Sequence, residues 1–199
     1  MTMQTDTIPY TLEPGHVISH IEMDDMDELV RLHSEYINYG SGVRPHFERA
    51  IEDPFTIALK YEVEGEIAGI MVYTKGIFFS GSHEELRQKI LTITGGESCY
   101  TGDAALVRKK FRHMGVSSGL CAYSREAMLA QGGVYVVHEL WVHPSGKVPA
   151  RRLVPRFGET CCLGQYKDFY RDFYHYGYIC PLCGKDCRCS AELYLSKMV

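Results

Sequence analysis

The feature that most constrains the fold is a crossover unit between residues 99 and 142. Cys99–Val107 has the composition of a strand, Val116–Ala130 has the apolar spacing of a helix, and Val134–Val142 predicts a second strand. A strand, a helix and a strand in this order place the two strands parallel in one sheet, with the helix packed against it. We therefore expect a mixed α/β protein.

Other elements are predicted on both sides of this unit. A capping box formed by Asp25 and Glu28 opens a first helix, and Glu64-Gly65-Glu66 separates two β-rich runs as in a hairpin. The strands are predicted at 17–21, 55–63, 67–79 and 191–195, and the helices at 26–37, 46–51, 82–93 and 166–176. The stretch 143–164 contains three prolines and shows no clear period, which predicts an irregular surface excursion.

Composition limits the classes to which the chain can belong. Its 199 residues, 45% of them apolar, suit one globular domain, here residues 16–199 after a flexible leader at 1–15. No apolar run is long enough to span a bilayer, and the first residues do not resemble a signal peptide, so we expect a cytoplasmic protein without membrane contact. A formal charge of -4 argues against a nucleic-acid partner.

The loop between the first crossover strand and its helix carries the most informative motif. Arg112, Gly115 and Ser117 stand at positions that resemble the acyl-CoA-binding motif of the GNAT acetyltransferase superfamily, which has Gly or Ala where this chain has Ser117. The unpaired N–H groups and partial positive charge of a helix start suit a pyrophosphate, and glycine lets phosphate oxygens approach the backbone closely.

This resemblance covers nearly the whole chain after residue 16 and implies both a fold and a cofactor. The fold would be a mainly antiparallel, centrally splayed sheet flanked by helices, and dimers are common in the family. Acetyl-CoA would be the co-substrate. Its pantetheine arm would lie beside Leu106 and Val107, and its pyrophosphate would lie on Arg112, His113, Met114, Gly115, Val116 and Ser117.

The resemblance also implies acid and base residues for transfer to an amine. Tyr174 is the first choice for the hydroxyl that protonates the departing thiolate, with Tyr170 as the alternative, although such aromatic residues also pack helices onto sheets. Glu139 and Asp103, with His138 beside them, are the candidates for accepting a proton. Glu139 is preferred because a carboxylate within an apolar strand is costly unless it faces a wet cleft.

A cysteine-rich hairpin at residues 180–189 forms a second constellation. It begins with Cys180-Pro181-Leu182-Cys183-Gly184, a zinc-knuckle-like turn, and Cys187 and Cys189 complete a possible four-thiolate site of structural type. Reduced thiols, a labile disulfide, or zinc completed by His175, Cys161 or Cys162 remain as other interpretations.

The sequence thus predicts an acetyl-CoA-dependent N-acetyltransferase whose acceptor is an amine-bearing small molecule. Two other classes remain open. One is a non-catalytic acyl-CoA-binding or zinc-stabilised interaction module on the same fold, and the other is a zinc-linked nucleic-acid module.

Overall fold

One open sheet of seven strands organises the chain in the computed structural model, which describes residues 11–79 and 83–198. Its order is β1-β2-β3-β4-β5-β7-β6, and every neighbouring pair is antiparallel except β4 and β5. The strands are β1 His16–His20, β2 Thr56–Val63, β3 Glu66–Lys75, β4 Cys99–Val107, β5 Tyr135–Val142, β6 Glu159–Tyr166 and β7 Ser190–Lys197.

Helices cover both faces of the sheet because its central strands are apolar on both sides. Helices α1 (Met26–Tyr36) and α2 (Val43–Glu52) pack on one face through Leu29, Leu32 and Phe47. Helix α4 (Val116–Ala130) packs on the opposite face with the 3₁₀ segment Pro149–Phe157. Helix α3 (Glu84–Thr94) shares an apolar cluster with Leu193 and Leu195 of β7. No helix among residues 11–79 and 83–198 is long and apolar enough to cross a membrane.

The sheet is splayed at its centre. The parallel pairing of β4 with β5 covers only Cys99–Thr101 against Tyr135–Val137. Beyond Thr101, a bulge opposite Val72 and Tyr73 keeps β4 on β3, while β5 continues along β7. A gap therefore opens between the second halves of β4 and β5, which confirms the predicted splayed, mainly antiparallel sheet.

The structure corrects the sequence interpretation between residues 143 and 176. The predicted irregular excursion contains an entire edge strand, β6, preceded by the 3₁₀ segment Pro149–Phe157. The helix predicted over 166–176 was wrong: the chain turns at Lys167–Tyr170 and continues as a 3₁₀ segment, Arg171–Tyr176. Asp168 has a left-handed φ of 53°, which interrupts any α-helix there.

Two of the predicted segments lie partly outside the described residues. Residues 1–10, most of the predicted leader, lie outside the described residues, whereas Glu13 and Gly15 already hydrogen-bond at the start of β1. Ser82, the first residue of the helix predicted over 82–93, also lies outside them.

Candidate active site

A cavity of about 340 Å³ occupies the gap between β4 and β5. Asp103, Ala104 and Ala105 line it from β4, and Glu139 and Leu140 line it from β5. A wider depression of about 790 Å³ adjoins it and shares Asp103 and Glu139. The structure therefore brings together two of the predicted catalytic residues.

Glu139 is the most strongly perturbed acid in this cavity. Burial raises the pKa of its carboxyl to about 8, a hydrogen bond from Tyr170 opposes that rise, and the nearby charge of Asp103 adds to it. A carboxyl that titrates near neutral pH is suited to accept a proton from a substrate.

Tyr170, the alternative tyrosine of the sequence analysis, lies in the same cavity. Its side chain is buried, and its hydroxyl interacts with the Glu139 carboxyl. Burial, together with the charge of Glu139, raises the pKa of Tyr170 well above its ordinary value. Tyr170 thus remains protonated and can donate a hydrogen bond into the cavity.

The structure does not bring Tyr174 to this cavity. Tyr174 is 43% exposed, and its ring packs against Lys185 and His175 on the outer side of the 3₁₀ segment Arg171–Tyr176. The segment Pro149–Phe157, between β5 and β6, contains no tyrosine, so it supplies no phenolic hydroxyl to the cavity.

Two buried polar atoms on the α1–α2 side of the cavity have no hydrogen-bond partner among the described residues. They are Oδ1 of Asn38 and Nε2 of His46, and both residues line the cavity. The other ring nitrogen of His46 lies 3.5 Å from Asp103. Because buried polar groups are normally paired, these atoms indicate a place for a polar ligand. Sequence reasoning missed both residues, since neither belongs to a local motif.

Burial holds two of the histidines that line the cavity, His138 and His33, in the neutral form. Burial lowers the pKa of His138 to about 3, and its Nε2 lies 3.2 Å from Ser196 Oγ among the rings of Tyr73 and Phe157. Burial likewise lowers the pKa of His33 to about 4, and its Nδ1 donates to the Asn38 carbonyl. His138 is therefore a packing residue in this geometry, whereas the sequence could not separate it from Glu139.

The predicted cofactor loop lies between the end of β4 and the start of α4. Gly115 is the residue before α4 and has a φ of 78°, a left-handed conformation that favours glycine. The N–H groups of Val116, Ser117 and Ser118 occupy the first turn, where helix geometry provides no intrahelical acceptor. His113 and Met114 are exposed on the same loop, and Leu106 and Val107 lead into it from β4.

The basic residues of this loop differ in their partners. Arg108 is paired with Glu28 of α1 and Glu66 of β3, and Lys110 is paired with Glu66. Arg112, in contrast, is exposed and has no carboxylate partner within the described part of the chain. Arg108 thus anchors the loop, while the guanidinium of Arg112 is available to bind an anion such as a phosphate group.

The four cysteines of the predicted metal site lie together at one wall of the cavity. Their sulfur atoms are within 4.8 Å of one another, and Cys180 and Cys187 line the cavity beside Tyr170. Cys161 and Cys162 lie outside this group, exposed on β6.

The strand order, the splay and the helix that follows β4 are shared with solved structures of GNAT-family acetyltransferases. Among solved structures, the Arabidopsis thaliana NAA60 complex with acetyl-CoA superposes with a TM-score of 0.66 at 13% identity, over 92% of this chain and 98% of that one. Ard1 of Thermoplasma volcanium superposes with a TM-score of 0.61 at 16% identity, over 93% and 99% of the two chains. The ribosomal-protein alanine N-acetyltransferase of Escherichia coli gives 0.62 at 11% identity, over 92% and 94%. No family model and no curated protein matches the sequence.

Proposed function

We propose that the protein is an acetyl-CoA-dependent N-acetyltransferase. The observation that carries the proposal is the cavity in the β4–β5 gap, which contains Glu139, Asp103 and Tyr170 on a fold shared with acetyl-CoA-bound enzymes. Identity to those enzymes is low, so the proposal depends on the chemistry of the cavity itself.

Acetyl-CoA fits the groups at the end of β4. Arg112 and the N–H groups of Val116, Ser117 and Ser118 would hold the pyrophosphate, because a helix start carries partial positive charge. Leu106 and Val107 would line the pantetheine arm toward the cavity. Acetyl-CoA would supply an activated thioester from which the acetyl group passes to a nitrogen.

Glu139 and Tyr170 would move the protons of this reaction. An ammonium acceptor must lose a proton before its nitrogen can form the new C–N bond, and Glu139 is the carboxylate placed to accept it. The sulfur that leaves must gain a proton, and the Tyr170 hydroxyl is the donor in the cavity. Because the Tyr170 hydroxyl interacts with the Glu139 carboxyl, the proton taken by Glu139 can replace the one that Tyr170 gives up. The second proton that the nitrogen loses as the amide forms would pass to water.

The acceptor we propose is a small amine. An ammonium group suits the carboxylates of Asp103 and Glu139, and the orphaned Oδ1 of Asn38 can accept a hydrogen bond from it. The α1–α2 loop and the β6–β7 connection are joined beside the cavity by hydrogen bonds between Tyr39 and Ile179. These bonds close that side of the cavity, which favours a small amine over an extended polypeptide.

Calorimetric titration with acetyl-CoA tests the cofactor site. We expect binding to the wild-type protein and none to Gly115→Trp, whose side chain would occupy the pyrophosphate position. Gly132→Trp is the matched control: Gly132 lies beyond the other end of α4 with a similar φ of 74°, and its Cβ direction is open. Absence of binding to folded wild-type protein, or equal binding to both variants, would contradict the proposal.

A non-catalytic acyl-CoA-binding module on the same fold is the second candidate. Two observations favour it, because each removes a candidate hydroxyl that could protonate the thiolate. The β5–β6 crossover contains no tyrosine, and Tyr174 is exposed away from the cavity. An amine screen that follows the release of CoA thiol separates the two functions. Binding of acetyl-CoA without turnover on small amines or on peptides with free N-termini would favour the module.

A further inference from the structure

The connection between β6 and β7, residues 167–189, is long and contains no α-helix or strand, yet it forms a wall of the cavity. It contributes Tyr170, Phe173, Tyr178 and Cys180 to the lining. At its middle it hydrogen-bonds the α1–α2 loop, through Ile179 to Tyr39 and through Gly177 to Gly42. A segment of this length without regular structure requires some other constraint to keep one conformation.

The four cysteines of this connection are arranged as a thiolate cage. Sγ of Cys189 lies 3.8 Å from Sγ of Cys180 and 3.5 Å from Sγ of Cys183, and all four sulfurs are within 4.8 Å of one another. A tetrahedral zinc with Zn–S bonds of about 2.3 Å separates its sulfurs by about 3.8 Å. Disulfide sulfurs would be bonded at about 2.05 Å, so these distances match the edges of a metal site.

The backbone around Cys180 has the form of a metal knuckle. The N–H of Cys180 donates to the Gly184 carbonyl, and the N–H of Gly184 donates to the Cys180 carbonyl, which closes a tight loop. Gly184 has a left-handed φ of 69° at this turn. The N–H of Cys183 points to Sγ of Cys180 at 3.5 Å. Such N–H groups stabilise charge on a coordinated thiolate.

We propose that Cys180, Cys183, Cys187 and Cys189 bind one Zn²⁺ as a four-thiolate structural site that fixes the β6–β7 connection against the cavity. Because the four thiolates fill the tetrahedral coordination of the zinc, no position is open for water, and the metal takes no part in the chemistry. The Cys189 carbonyl accepts the N–H of Phe169, next to Tyr170. The metal would therefore hold Tyr170 in place. This effect on the cavity rests on the proposed function, whereas metal binding does not.

Metal analysis of protein purified under reducing conditions from zinc-supplemented cells tests the site. We expect one zinc per chain in the wild-type protein and less than one-tenth of that in Cys183→Ser, which removes an exposed ligand. Cys161→Ser is the matched control, because Cys161 is exposed on β6 outside the cluster, and it should keep its zinc. Wild-type protein without zinc, or full zinc in Cys183→Ser, would overturn the ligand set.

A second measurement uses the wild-type chain alone, so it does not depend on whether the variant folds. Co²⁺ added to chelator-treated protein should give tetrahedral d–d bands and thiolate-to-cobalt charge transfer at one equivalent. Chelation should also increase the rate of trypsin cleavage after Lys185 or Arg188, both exposed in the connection, at least tenfold. Absence of the cobalt bands, or a pair of disulfides found by alkylation and mass analysis, would contradict zinc binding. Acetyl-CoA titration tests the proposed function separately, since its groups belong to the β4–α4 loop.

Discussion

At the scale of single residues, the site depends on which tyrosine faces Glu139. Tyr170 is buried and interacts with the Glu139 carboxyl, whereas Tyr174 is exposed on the surface. We expect Tyr170→Phe to lower kcat about 100-fold, the usual contribution of a positioned proton donor, and Tyr174→Phe to change it less than threefold. Steady-state kinetics with the best acceptor of the amine screen measures both. Equal loss in the two variants would remove Tyr170 from its assigned role.

The charge of Glu139 should set the pH dependence of the reaction. Its carboxyl titrates near pH 8, so log kcat/KM should rise with pH up to about 8 and then level off. Glu139→Gln should abolish this rise. Asp103→Asn should move it to lower pH, because the charge of Asp103 raises the pKa of Glu139. A pH profile unaffected by Asp103→Asn would mean that the acceptor amine, rather than Glu139, is the group that titrates.

The sequence could predict some of these residues and not others. Glu139 stood out as a carboxyl in an apolar strand, and Arg112 and Gly115 formed a local motif beside a predicted helix. Asn38 and His46 could not be found this way, because their importance arises from burial beside β4 after the chain has folded. Tyr170 and Tyr174 lie in one aromatic run, and only the backbone path decides which of them is buried.

At the scale of elements, the sequence predicted the crossover well and the segment after β5 poorly. Tyr166, Phe169, Tyr170 and Phe173 have helical spacing, but Asp168 adopts a left-handed φ and ends any helix there. Strand β6 was missed because it is an edge strand with mostly exposed or half-buried side chains and little apolar alternation. In this part of the chain, the apolar spacing therefore predicts which side chains are buried but not the conformation of the backbone.

The loop between β4 and α4 should depend on Arg108 for its anchorage. The Arg108 side chain is 11% exposed and joins Glu28 of α1 to Glu66 of β3. Arg108→Met would leave two partly buried carboxylates without this partner, and we expect a loss of about 2 kcal/mol in the free energy of unfolding. Lys110→Met removes a 60% exposed partner of Glu66 and should cost less than about 0.5 kcal/mol. Urea unfolding compares the two variants, and equal losses would contradict the anchoring role.

At the scale of the whole molecule, three buried groups should shape stability against pH. The folded pKa of His33 is about 4 and that of His138 about 3, both below the ordinary value of 6.5. Below pH 6.5 the unfolded chain therefore binds protons that the folded chain does not, which destabilises the fold. Glu139 acts in the opposite sense: its folded pKa of about 8 lies above the ordinary 4.5, so the folded chain holds the extra proton between these values.

The balance of these groups predicts a stability maximum near pH 6.5. Of these three groups, only Glu139 binds protons differently in the two states between pH 8 and 6.5, and it should raise the free energy of unfolding by about 1.4 kcal/mol per pH unit as the pH falls. From pH 6.5 down to 4.5 the two histidines outweigh Glu139 by one proton, so stability should fall with a similar slope. Urea unfolding at pH 5, 6.5 and 8.5 measures both limbs. Glu139→Gln should remove the alkaline limb and make the acid limb steeper; an alkaline limb unchanged in this variant would show that Glu139 is not the buried acid responsible.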